Sequence, residues 1–173
     1  ARLRKNIDDN DMAIIEPSDK HYYQPLWTLV GGGQATKEES ERNEADLIPA
    51  GVDWIKQSVQ SINPKEKNVT LKNGETVAFE FLVVATGLKL NWDQIEGLGS
   101  NLGKNGLCSI YEYGQVDAVY KMINEFKGGN ALFIMPPVPI KCAGAPQKIM
   151  YLAENVFRNN GVRKDCKVIF ATA

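Results

Sequence analysis

The sequence has one histidine, His21, and three cysteines, Cys108, Cys142 and Cys166, spaced far apart with no CxxC pair. So few imidazoles and such scattered thiols do not make a zinc ligand set, and no metal site is expected. An odd, dispersed trio is not a disulfide framework either. Charge is nearly balanced, 20 basic residues against 21 acidic. No excess of one sign draws the chain to nucleic acid or to anionic lipid. No apolar run reaches the ~20 residues that a membrane-spanning helix needs. No Gly-rich turn precedes the first apolar segment. What is present is 173 residues, 43% hydrophobic, enough for one domain or one and a half with a real core.

Both ends read as cut. Ala1-Arg2-Leu3-Arg4-Lys5 starts without Met and resembles the last turn of a helix, while Lys167 to Ala173 reads as a strand just begun. The expectation is an internal piece of a longer protein, in which a missing signal or transit peptide says nothing about compartment.

Met12-Ala13-Ile14-Ile15-Glu16 is a nearly continuous apolar run closed by an acid, which predicts a strand buried on both faces. An acid in that place can hold a ribose hydroxyl in a dinucleotide-binding fold, or can simply be a surface residue. His21 to Trp27, rich in aromatics, leads to Thr28-Leu29-Val30 and then Gly31-Gly32-Gly33. That junction suits either close approach of a flat ligand or a packed loop with a flexible glycine exit. Residues 34–43 are polar and are expected to be solvated.

From Val52 to Ala85 the pattern turns to β. Val52-Asp53-Trp54-Ile55 leads to Val59 and Ile62, and Asn63-Pro64 turns the chain. Val69-Thr70-Leu71 and Glu75-Thr76-Val77 flank Asn73-Gly74, the strongest short hairpin signal. Phe81-Leu82-Val83-Val84-Ala85 is expected as a buried strand ending in the turn Thr86-Gly87. Helical spacing from Tyr113 to Phe126 places Val116, Val119, Tyr120 and Ile123 on one face, with Gly128-Gly129 as the stop. Ala131 to Met135 reads as another buried strand. A helix from about Gln147 to Arg158 follows, with Ile149, Leu152, Ala153 and Val156 inward, then a strand at Val168-Ile169-Phe170. Strand, helix, strand predicts a parallel βαβ unit with a right-handed crossover.

The turn after Met135 is Pro136-Pro137-Val138-Pro139-Ile140-Lys141-Cys142-Ala143-Gly144-Ala145-Pro146. A nucleotide-binding βαβ unit would place glycines here so that backbone amides meet phosphate. Prolines remove those donors and stiffen the chain. The turn is better suited to presenting a thiol than to holding a nicotinamide dinucleotide. A helix start and the neighbouring Lys141 both favour thiolate at Cys142, and Ala143, Gly144 and Ala145 leave room around it. The competing reading is a buried structural cysteine. Cys108 is either a second redox thiol or a small apolar filler, and Cys166 reads as structural.

Two blocks resemble the sulfide:quinone oxidoreductase family, within the FAD/NAD-linked disulfide oxidoreductase superfamily. The first runs from Ile15-Glu16-Pro17-Ser18 through His21-Tyr22-Tyr23-Gln24-Pro25-Leu26-Trp27-Thr28-Leu29-Val30-Gly31, the second from Lys141-Cys142-Ala143-Gly144-Ala145-Pro146 to Leu152. The second resembles the branch of the mitochondrial enzymes and their bacterial relatives. The likeness implies an α/β, Rossmann-like FAD/NAD(P)-binding fold, a parallel sheet with an inserted antiparallel meander. Residues 1–100 would belong to the FAD-binding domain and residues 101–173 would begin a second Rossmann-like domain carrying the redox cysteine.

The activity implied is that of a peripheral membrane flavoprotein. Sulfide attacks a disulfide between two cysteines, a persulfide forms on one, and two electrons pass through FAD to a quinone. A small nucleophilic acceptor then removes the sulfur. By the same resemblance Cys142 is the first catalytic cysteine and Glu16 the acid on the FAD ribose. Gln24 and Val59 contact the cofactor, Val59 by its backbone, and Ala85-Thr86-Gly87 closes over it. A homo-oligomer is possible in this family. The setting implied is the bacterial cytoplasmic membrane, with the mitochondrial inner membrane as alternative; Cys108, near a third cysteine of some bacterial members, favours the former. Three family features are absent: the opening Gly-rich turn, the second catalytic cysteine and the C-terminal amphipathic segment. The 173 residues alone are therefore expected to be inactive and to bind FAD weakly. Other readings are a type II NADH dehydrogenase, a cytochrome-linked sulfide dehydrogenase, or a non-catalytic fragment of such an enzyme.

Overall fold

The structure, a computed structural model, describes residues 2–6, 11–137 and 139–172. Val138 of the proline-rich turn, and Ala1 and Ala173 at the ends, lie outside the described residues. In chain order the strands are β1 (Ala13–Ile15), β2 (Lys20–Tyr22), β3 (Glu41–Asn43), β4 (Asp53–Ile55), β5 (Val59–Asn63), β6 (Asn68–Leu71), β7 (Thr76–Ala78), β8 (Gly129–Met135) and β9 (Cys166–Thr172). The α-helices are α1 (Trp27–Gly31), α2 (Leu98–Asn101), α3 (Val116–Glu125) and α4 (Ala145–Asn159). They fall into two compact units, residues 1–21 with 42–90 and residues 22–41 with 91–173. The α/β architecture with parallel pairs and an antiparallel meander is as the sequence implies.

In the first unit β1 and β4 pair in parallel, Ala13 opposite Asp53 and Ile15 opposite Ile55. The indole N–H of Trp54 donates to the Glu16 carbonyl at 2.9 Å and ties the end of β1 to β4. The meander is β5, β6 and β7 in that order, all antiparallel, with Val69 and Leu71 of β6 fully covered. Its hairpin turns at Asn73-Gly74, where Gly74 has φ +89° and donates to the Leu71 carbonyl at 3.0 Å. Only a residue tolerant of positive φ completes such a turn without strain.

Two expectations fail in this unit. Ala13 and Ile14 of β1 are exposed rather than buried on both faces. Residues 81–85 form no strand, and Phe81 is 92% and Val83 72% exposed. A buried strand needs a hydrogen-bonded neighbour and a layer on each face. Among the described residues no strand pairs with 81–85, so its β propensity is not realised.

In the second unit β8 and β9 pair in parallel over seven positions, from Gly129 opposite Cys166 to Met135 opposite Thr172. Helix α4 links them, the predicted βαβ unit. It begins at Ala145, two residues earlier than expected, because Pro146 sits in the first turn, where its missing N–H costs nothing. Ile149, Ala153 and Phe157 of α4 join Val119 and Ile123 of α3, with Ala131 and Cys166, in one core. β8 is covered on one face only: Ala131 is buried, whereas Leu132 and Ile134 on the opposite face are 55% and 58% exposed. The pleat alternates them, and α4 covers just one side.

The glycine run after α1 is not a flexible exit. A Cβ on Gly32 would stand 2.7 Å from a Leu152 methyl of α4, and one on Gly33, at φ +72°, would stand 2.2 Å from the Tyr120 ring of α3. These glycines let α1 lie against both helices. Ser40, in the stretch expected to be solvated, is fully buried. Its hydroxyl accepts the Trp27 indole N–H at 3.1 Å and donates to the Lys37 carbonyl at 2.6 Å.

Candidate active site

Cys142 is exposed, while Cys166 is buried and Cys108 half-buried. Among the described residues no disulfide joins them. Burial pushes the Cys108 thiol up, which disfavours thiolate, and the side chain packs on the core. Its packing favours the apolar-filler reading of Cys108 over that of a second redox thiol. The Cys166 thiol donates to the Val162 carbonyl at 3.1 Å inside the core, a structural role as expected.

Cys142 sits three residues ahead of α4 with φ +81°, in the left-handed region that non-glycine residues rarely occupy. Such a backbone costs on the order of 1–3 kcal/mol and persists only where its surroundings hold it. Two hydrogen bonds do so through one atom. The Cys142 carbonyl accepts the Ala145 N–H at 2.8 Å and the Tyr111 hydroxyl at 3.4 Å. The side chain borders a cavity of about 60 Å³ lined also by Gln24, Thr28, Tyr111, Lys141 and Lys148. A wider hollow of about 350 Å³ shares Pro25, Thr28 and Lys148 with it and adds Leu29, Tyr151 and Leu152.

Lys141 supplies the charge beside the thiol. Its ammonium lies 5.6 Å from the centre of the Trp27 ring and 6.0 Å from that of Tyr111. Aromatic faces attract a cation at this range and hold its long side chain in place. Burial lowers the Lys141 pKa, and attraction to Cys142 works against that fall. Burial, with the Cys142 charge second, pushes the Tyr111 phenol up to about 12.

Trp27 is in turn fixed by its bond to Ser40 and by ring contacts with Tyr22 and Tyr113 at 6.3 and 6.2 Å. The Tyr113 hydroxyl donates to Glu41 at 2.6 Å, and that bond, with burial second, raises its pKa. The aromatic segment 22–27 therefore packs as scaffold under the lysine.

Of the residues chosen from sequence, Cys142 and Gln24 share the cavity. Glu16, Val59, Ala85, Thr86 and Gly87 all belong to the first unit. Glu16 closes β1, and one of its carboxylate oxygens accepts the Ser18 N–H at 2.8 Å. Val59 opens β5 opposite Leu71. Ala85, Thr86 and Gly87 are exposed, and Gly87 has φ +72° with open space where a side chain would start. Sequence reasoning missed Tyr111 and Ser40, which lie in no motif and act through contacts 31 and 13 residues away.

The arrangement is an exposed thiol beside a cavity, on an α/β fold whose structural neighbours are FAD/NAD-binding oxidoreductases. The sulfide:quinone oxidoreductase structure of Aquifex aeolicus superposes with a TM-score of 0.75 at 22% identity, over 92% of this chain and 36% of that one. That likeness shows the fold. In sequence the chain is 46% identical over 94% of its length to the mitochondrial sulfide:quinone oxidoreductase of Dictyostelium discoideum. It is 41% identical over 99% to that of Mus musculus. The resemblance read from the two motif blocks is thus shown by homologues along nearly the whole chain. The chain spans 36% and 38% of the length of these two relatives. No family model matches it.

Proposed function

We propose that the whole protein oxidises sulfide, with Cys142 as the residue that carries the sulfur, and passes two electrons through FAD to a quinone. The observation that supports this most is an exposed cysteine, held in a left-handed backbone and bordering a cavity beside a half-buried lysine. Bound FAD would supply the two-electron relay that a thiol alone lacks. Glu16 fits the FAD ribose, because its carboxylate ends a strand of a parallel pair, where open α/β sheets place ligands. Gln24 and Val59 would hold other parts of the cofactor, and the open Ala85-Thr86-Gly87 turn has room for a close approach.

The chain's own residues have defined work. Lys141 attracts hydrosulfide, an anion at neutral pH, into the cavity. The proline-rich turn and the two bonds to the Cys142 carbonyl fix the sulfur's direction, so little orientation is lost during exchange. Hydrosulfide would attack a disulfide between Cys142 and a second cysteine of the whole protein: the S–S bond breaks, Cys142 keeps the incoming sulfur as a persulfide, and the second cysteine leaves as a thiolate whose charge a cation at the cavity stabilises. A small sulfur acceptor reaches the same cavity from solvent. Residues 1–100 would serve the FAD-binding domain and residues 101–173 the second Rossmann-like domain.

A lipid-soluble quinone implies peripheral attachment to the membrane that holds it, in a bacterium or a mitochondrion. No helix among the described residues is long and apolar enough to cross a membrane. The prolines after β8 speak against an NADH-oxidising relative. The test is to reduce the purified whole protein anaerobically with sulfide or with NADH and follow the flavin spectrum. Bleaching by sulfide and not by NADH is the expected result. Bleaching by NADH alone would overturn the proposal.

A further inference from the structure

We infer that Tyr111 is a positioning residue for the Cys142 sulfur: its hydroxyl, together with the Ala145 N–H, clamps the Cys142 carbonyl and so holds the thiol toward the cavity. This rests on the reading of Cys142 as the sulfur-carrying residue.

A left-handed cysteine is unstable unless something prevents its peptide from turning back. Here the restraint converges on one carbonyl oxygen, 2.8 Å from the Ala145 N–H and 3.4 Å from the Tyr111 hydroxyl. The first bond comes from the start of α4 and is available to any residue at 145 except proline. The second comes from a segment 31 residues earlier and depends on the hydroxyl alone. Tyr111 is itself held: it packs against the core, and its ring faces the Lys141 ammonium. Burial pushes its phenol up to about 12, so the hydroxyl stays protonated, and therefore a donor, at neutral pH.

The experiment uses the whole flavin-loaded protein. Tyr111→Phe keeps the ring and removes the donor. Its flavin bleaching at saturating sulfide is expected to slow about tenfold, with the KM for quinone and the Tm unchanged. The Ala145 amide is expected to exchange its hydrogen faster, because the carbonyl it bonds to is freed. Bleaching and exchange equal to wild type would overturn the inference. Cys142→Ser separates the two claims. If that variant still bleaches, the reading of Cys142 fails, and amide exchange in Tyr111→Phe alone decides the clamp. Should Tyr111→Phe not fold, 3,5-difluorotyrosine at position 111 decides it. This analogue ionises at lower pH and so loses its donor, which adds a falling alkaline limb to the bleaching profile. A profile matching wild type would contradict the clamp.

Discussion

The Lys141 ammonium lies over the Trp27 ring at 5.6 Å, one residue before the exposed thiol of Cys142. The pair explains why an aromatic segment and a cysteine turn far apart in sequence belong to one site. Trp27 is a platform for the Lys141 charge, which on the proposed function serves Cys142.

Replacing the charge tests this relationship. Lys141→Gln keeps a polar side chain over Trp27 but removes the cation. Alkylation of Cys142 by iodoacetamide at neutral pH, read by peptide mass spectrometry, is expected to slow on the order of tenfold. The lowered Lys141 pKa gives a second sign. In the wild type the help of the cation fades before the ordinary lysine value of 10.5, whereas the variant shows no such fading. An unchanged alkylation rate would remove Lys141 from the account.

Ser40 supports the platform from beneath. Ser40→Ala leaves the buried Trp27 indole N–H without its partner at 3.1 Å. An unsatisfied buried donor costs about 1–3 kcal/mol. Urea unfolding should show that loss, with an unchanged m-value. A variant as stable as wild type would mean that the indole finds another acceptor.

Acid stability follows from α4 and the turn after it. Glu154 bonds to Arg163 at 2.9 Å and to Arg158 at 2.7 Å. Arg163 first, then Arg158, holds the Glu154 carboxyl below its ordinary 4.5. A depressed carboxylate stabilises the fold above its unfolded pKa, and the contribution disappears as pH falls through the folded value. Glu154→Gln should therefore lose less stability than wild type as pH falls below the ordinary carboxylate value of 4.5. The Arg158 side chain is 63% exposed, so the difference should be small and should shrink in high salt. Equal acid limbs in the two proteins would contradict the assignment.

Much of the fold could be read from residues whose signals are local. Asn73-Gly74 between alternating residues marks the hairpin, and the spacing of Ile149, Leu152, Ala153 and Val156 marks the helix of the βαβ unit. The failures came where burial depends on distant chain. Among the described residues, 81–85 carry strand propensity but meet no partner strand, and Leu132 of β8 meets no covering layer. The function of Gly32 and Gly33 was hidden for a similar reason. They are packing contacts with Leu152 and Tyr120, which no spacing rule connects to them. At the site, Cys142 was legible because a helix start, a lysine and small neighbours flank it in sequence. Tyr111 was not, because a hydroxyl that acts on a carbonyl 31 residues away leaves no local mark.

The most direct measurement is stopped-flow flavin bleaching by sulfide in the whole protein carrying Cys142→Ser. FAD should remain bound, because the residues proposed to hold it are unchanged, and bleaching should be lost. Bleaching at the wild-type rate would contradict the role of Cys142 and the account built on it.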